Sequence, residues 1–98
     1  VLQPRPSVLV VGVGGELDLA TRQDLVRGVD AAAAAHPGQP VVLDLSEVGY
    51  IDSCGVHALL DLRQRLGVRL ALHAPAPCVA RLLSVTNLRD RFAFVEGH

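Results

Sequence analysis

The tetrapeptide Asp52-Ser53-Cys54-Gly55 sets a carboxylate, a hydroxyl and a thiol side by side, between an apolar run at residues 41–45 and a leucine-rich segment that begins at Val56. A serine just ahead of an amphipathic helix has two uses. Its oxygen can cap the helix by accepting a first-turn amide, worth about 1 kcal/mol over alanine. Alternatively, its hydroxyl is presented where unpaired amides and the positive end of the helix dipole favour an added anion such as phosphate. Asp52 can cap the same helix, orient the hydroxyl, or meet the magnesium of a nucleotide carried in by another protein. Cys54 would gain thiolate character at a helix start. Catalysis by cysteine also needs a base, however, and His57 alone does not complete a site; a small residue in a semi-buried turn is the plainer reading. Gly55 marks either close backbone approach within the fold or access for a partner.

Other chemistry is excluded by spacing. Gly12-Val13-Gly14-Gly15 resembles the start of a dinucleotide loop, but the third glycine of that pattern would fall on Leu17. The chain has no lysine, so it has no phosphate-binding loop of the Gly-Lys-Ser/Thr type. Cys54 and Cys78 make neither a disulfide framework nor a metal set. His36, His73 and His98 are scattered, as surface or strand-edge residues are. No cofactor or metal is expected, and the chain does not read as an enzyme.

The elements that position this cluster belong to one domain, residues 1–98, half of them hydrophobic. A chain of this size buries roughly 60–70 % of its unfolded surface and can hold a core alone. Nine basic residues against ten acidic give a net charge of −1 without a basic stripe, which argues against direct nucleic-acid binding. Apolar runs fall far short of the roughly 18–20 residues of a membrane span. Two free thiols fit a reducing cytoplasm. An all-arginine basic complement in an Ala-, Val- and Leu-rich chain points to a GC-rich bacterial genome. The first residue is Val1, so the native N-terminus is unseen.

Residues 8–13 read as a buried strand, Gly14-Gly15 as a bend or bulge, and Asp18 or Thr21 as the cap of a helix with Leu25, Val26, Val29 and Ala33 on its inner face. His36-Pro37-Gly38 stops that helix. A second strand at 41–45 leads to a second helix marked by Val56, Leu59, Leu60 and Leu66 and closed by Gly67. A third strand is expected at 68–73. A third helix starts in Pro75-Ala76-Pro77, buries Val79, Leu82 and Leu83, and breaks at Thr86-Asn87; residues 92–95 form a last short strand or tail. Residues 1–7, with Pro4 and Pro6, suit an irregular or short edge strand. The alternation implies an α/β fold with right-handed crossovers and a small, mostly parallel or mixed sheet of four to five strands under three to four helices. The polar cluster falls at the carboxyl end of the second strand, where such sheets place their ligands.

Gly15-Glu16-Leu17-Asp18, followed by Val42-Leu43-Asp44-Leu45-Ser46 and Tyr50-Ile51-Asp52-Ser53-Cys54-Gly55-Val56, closely resembles the STAS domain of bacterial anti-sigma factor antagonists over about residues 8–95. The resemblance implies that Ser53 is the phosphoacceptor. Its kinase would be the partner itself, an anti-sigma factor with serine-kinase activity, and a PP2C-type phosphatase would restore the hydroxyl. The unphosphorylated form would bind the anti-sigma factor and release a sigma factor. By the same analogy Asp18 and the turn formed by Asp52, Ser53, Cys54, Gly55, Val56 and His57 would make the contact surface. Cys54 stands where many members carry a second serine, which excludes a second phosphorylation there. Val56 is a conservative departure from Leu or Ile, and His57 replaces a small residue. STAS domains also serve as accessory or scaffold subunits of transporters and stress-sensing complexes, a use in which the acceptor serine is often dispensable.

Overall fold

The computed structural model describes residues 8–95, so the expected edge strand at 1–7 lies outside the described residues. Four strands, β1 (Leu9–Leu17), β2 (Val41–Ile51), β3 (Leu70–His73) and β4 (Phe94–Val95), form one sheet in sequence order, every pair parallel. Three helices connect them: α1 (Arg22–Ala35), α2 (Ser53–Leu66) and α3 (Pro77–Val85). The expected α/β architecture stands, with four strands and three helices among the described residues.

Three strands differ from the sequence reading. β1 does not stop at Val13 but runs through the glycines to Leu17, and it is not a buried strand: only Val13 and Leu17 along it are buried, and Val10 is 43 % exposed. β2 does not end at Leu45 but runs on to Ile51, because the second half of β1 accompanies it. The register between them shifts twice, between Gly12 and Gly14 and between Gly15 and Glu16, so the glycines absorb irregularities rather than ending the strand. These shifts give β2 buried residues at Leu45, Val48 and Ile51, a spacing of three that conceals a strand from a search for strict alternation. The third strand begins only at Leu70; residues 67–69 form a single 3₁₀ turn that leaves Val68 97 % exposed.

β3 pairs with β2 only as far as Asp44. Beyond that point the entry to α3 takes over the same strand: the Ala76 amide donates to the Leu45 carbonyl at 3.1 Å, and the Cys78 thiol to the Val48 carbonyl at 3.5 Å. The polar backbone of β2's second half is thereby supplied with partners where β3 has ended.

The core is mainly aliphatic, with Phe92 buried among leucines and valines. Leu43, Leu45, Leu59, Leu62, Leu70, Leu72 and Leu83 are fully buried, each worth about 1.5–3 kcal/mol in removed apolar surface. α1 and α2 lie against each other, and Arg65 bridges them by pairing with Asp30 at 2.6 Å and Asp61 at 3.1 Å. The hydrogen bond to Asp61, and then the charge of Asp30, raise the Arg65 pKa above its ordinary value. Arg69 closes the C-terminal end of α1 from a distance: its guanidinium donates to the carbonyls of Ala33, His36 and Gln39 at 3.0–3.3 Å, adding to the backbone bonds that the first two accept from His36 and Gln39. Gly67, with φ +58°, ends α2 as expected.

Candidate functional site

β1 and β2 end side by side, with Leu17 opposite Ile51, so the two turns that follow, at Asp18 and at Asp52, are neighbours at the carboxyl edge of the sheet. One hydrogen bond ties them, from the Asp52 amide to the Leu17 carbonyl at 3.2 Å.

Each aspartate organises the turn it begins. Asp52 is the N-cap of α2: its backbone is extended, and Oδ1 accepts from the amides of Cys54 at 2.9 Å and Gly55 at 3.2 Å. The Asp52 carbonyl accepts from Val56 and opens the helical ladder. Asp18 Oδ1 accepts from the amides of Ala20 and Thr21. Thr21 Oγ1 in turn accepts from the Asp18 amide at 3.0 Å and donates to the Glu16 carbonyl at 2.8 Å. Of the two caps offered by the sequence for α1, the carboxylate of Asp18 is therefore the one that holds the turn, with Thr21 bracing it.

Because Asp52 does the capping, Ser53 does not. Ser53 is the first residue of α2, it is exposed, and its hydroxyl has no hydrogen-bond partner among the described residues. The capping alternative for Ser53 is thus removed by the residue before it.

Gly55 is resolved in favour of the fold. It is buried, and a Cβ added there would run into the Leu17 carbonyl oxygen and lie 2.8 Å from both Leu17 Cβ and Ile51 Cγ1. Only a residue without a side chain lets the first turn of α2 sit this close to the end of β1. Val56 is also buried. Of the expected contact residues, Gly55 and Val56 therefore shape the turn from beneath. The outward ones are Ser53 and His57, with Asp18, Asp52 and Cys54 half-buried. His57 lies one helical turn beyond Ser53 on the same exposed face.

Leu19 and Tyr50, which sequence reasoning did not single out, flank this surface. They are 71 % and 51 % exposed, large apolar side chains directly after Asp18 and shortly before Asp52. The signal was available in Leu19, an apolar residue between a helix cap and the helix it caps, where nothing in the helical pattern buries it.

Among the described residues no group of three or more His, Cys, Asp or Glu is placed to hold a metal ion, and no helix is long and apolar enough to cross a membrane.

A model of the STAS domain family matches residues 1–97. Among solved structures, an anti-sigma factor antagonist from Mycobacterium paratuberculosis superimposes with a TM-score of 0.78 at 29% sequence identity, covering 96% of this chain and 81% of that one. The anti-sigma factor antagonist SpoIIAA in its unphosphorylated form gives a TM-score of 0.70 at 18% identity, over 91% and 78% of the two chains. A sulfate transporter family protein from Wolinella succinogenes shares the fold, with a TM-score of 0.63 at 21% identity over 89% and 75%.

Proposed function

We propose, from the premise that the chain belongs to the STAS domain family, that it is an anti-sigma factor antagonist switched off by phosphorylation at Ser53. The observation that carries this reading is the division of labour at the start of α2. Asp52 satisfies the Cys54 and Gly55 amides, which leaves the Ser53 hydroxyl exposed and unengaged among the described residues. The antagonist structures from M. paratuberculosis and of SpoIIAA support the general role.

In this account the unphosphorylated protein binds an anti-sigma factor in the cytoplasm through the Asp18 and Asp52 turns, with Leu19 and Tyr50 as apolar contacts, and a sigma factor is released. The anti-sigma factor is also the serine kinase. The Ser53 oxygen attacks the γ-phosphorus of its ATP, ADP departs, and the hydroxyl proton passes to solvent or to a base of the kinase. The product adds about −1.5 to −2 charges. The fold accommodates them because they arrive at a helix N-terminus. The interface does not, because they add to the carboxylates of Asp18 and Asp52 on a surface that must be desolvated on binding. A PP2C-type phosphatase restores the hydroxyl. Cys54 leaves Ser53 as the one acceptor in the turn.

Capture from a lysate of the encoding organism tests the reading, with the wild type and Ser53→Asp as baits. The expected result is retention by the wild type alone of an ATP-binding anti-sigma factor, and phosphate mapped to Ser53 once ATP is added. Capture of transporter subunits, or of the same proteins by both baits, would instead assign the domain to an accessory or scaffold role.

A further inference from the structure

The exposed face of α2 continues past Ser53 and His57 into a groove of about 620 Å³, bounded by His57, Leu60, Asp61, Arg63, Gln64 and, from the 3₁₀ turn at Arg89–Arg91, Arg91. Residues 53, 57, 60 and 64 recur at helical spacing, so the groove and the acceptor serine lie on one continuous stripe of the helix. Its floor is the half-buried Leu60.

The arginines around it differ in what they do. Arg65 is paired with Asp30 and Asp61, Arg69 with three carbonyls, and Arg89 lies over the Phe94 ring at 4.7 Å. Arg63 and Arg91 face the groove with no hydrogen bond or ion pair among the described residues. The one carboxylate at the groove, Asp61, is engaged by Arg65. A chain of net charge −1 therefore presents, on the same helix face as Ser53, a concave patch in which two arginines without a partner among the described residues outnumber one carboxylate already engaged by Arg65, over an apolar floor.

We infer that this groove docks an acidic, leucine-bearing segment of the protein partner, with carboxylates on Arg63 and Arg91 and an aliphatic side chain on Leu60. A protein segment fits better than nucleic acid, because the patch has two arginines rather than a stripe and no aromatic platform for bases. The identity of that partner as an anti-sigma kinase rests on the function proposed above; the groove's preference for acidic peptide does not. A second contact on the same helix face would give the partner register along α2, so that Ser53 is delivered to its active site.

The test is fluorescence anisotropy with a labelled Glu- and Leu-rich peptide, its Gln-for-Glu analogue, and a single-stranded oligonucleotide of equal charge. The protein is used as wild type, as Arg63→Glu with Arg91→Glu, and as Arg27→Glu with Arg81→Glu, two exposed arginines outside the groove that match the change in net charge. Circular dichroism verifies that each variant is folded. Saturable binding of the acidic peptide is expected, with none by the Gln analogue, and a loss of about tenfold in the groove variant only. Absence of saturable binding, an equal loss in the matched variant, or tighter binding of the oligonucleotide would overturn the inference. Because the probe contains no kinase, failure here leaves the Ser53 switch untouched.

Discussion

Adding a single methyl group to Gly55 tests how the turn at residues 52–55 is held against the sheet. In Gly55→Ala the new Cβ meets the Leu17 carbonyl oxygen and comes within 2.8 Å of Leu17 Cβ and Ile51 Cγ1. Forcing α2 away from β1 costs about 1–3 kcal/mol as overpacking. The Asp52 amide bond to the same Leu17 carbonyl is strained as well, adding about 1 kcal/mol. Alanine's better helix propensity returns about 1 kcal/mol, so the net expectation is a loss of about 1–3 kcal/mol. Gly28→Ala supplies the control, because Gly28 is exposed in α1 and a Cβ there meets nothing within 4 Å. That variant is expected to gain about 0.5–1 kcal/mol. Urea denaturation followed by circular dichroism reads both, and the midpoints should move in opposite directions with unchanged slopes. If Gly55→Ala matched Gly28→Ala, the close approach of α2 to β1 would be refuted, and with it the account of why glycine stands in this turn.

Substitutions at three further positions probe the caps and the backbone. Asp52→Ala strips the cap from α2 and should cost about 1–2 kcal/mol in urea titration, with Asp52→Asn retaining most of the stability. Arg69→Met leaves the carbonyls of Ala33, His36 and Gln39 without their guanidinium and should lower stability by about 1–2 kcal/mol, with hydrogen exchange accelerated at the C-terminal end of α1. Ala74, exposed with φ +48°, occupies left-handed space, so Ala74→Gly should raise the melting temperature by relieving up to about 1 kcal/mol of strain; a clear fall would contradict that geometry.

The helices were legible because their signals are local. Val29 and Ala33, Val56 and Leu59, Val79 and Leu83 keep helical spacing, and Pro37, Gly67 and Asn87 stand where the chain must turn. What escaped the sequence depended on neighbours. The second half of β2 exists because β1 accompanies it through two register shifts, which no period within residues 46–51 announces. Val68 reads as a strand residue until the Gly67 turn exposes it. At the site, the Asp-Ser-x-Gly pattern located the turn but could not decide which residue caps the helix or why Gly55 is glycine. Both answers come from Leu17, Ile51 and the first-turn amides, contacts made across two strands. The Arg63–Arg91 groove joins α2 to a turn over twenty residues later and was invisible for the same reason.

Charge at Ser53 is expected to separate the protein from its partner, and the dissociation constant of the captured anti-sigma factor for the protein, before and after phosphorylation at Ser53, tests this. Tight binding is expected of the unphosphorylated protein and of Ser53→Ala, with a loss of about hundredfold or more on phosphorylation. Equal affinity of the phosphorylated and unphosphorylated forms would contradict it.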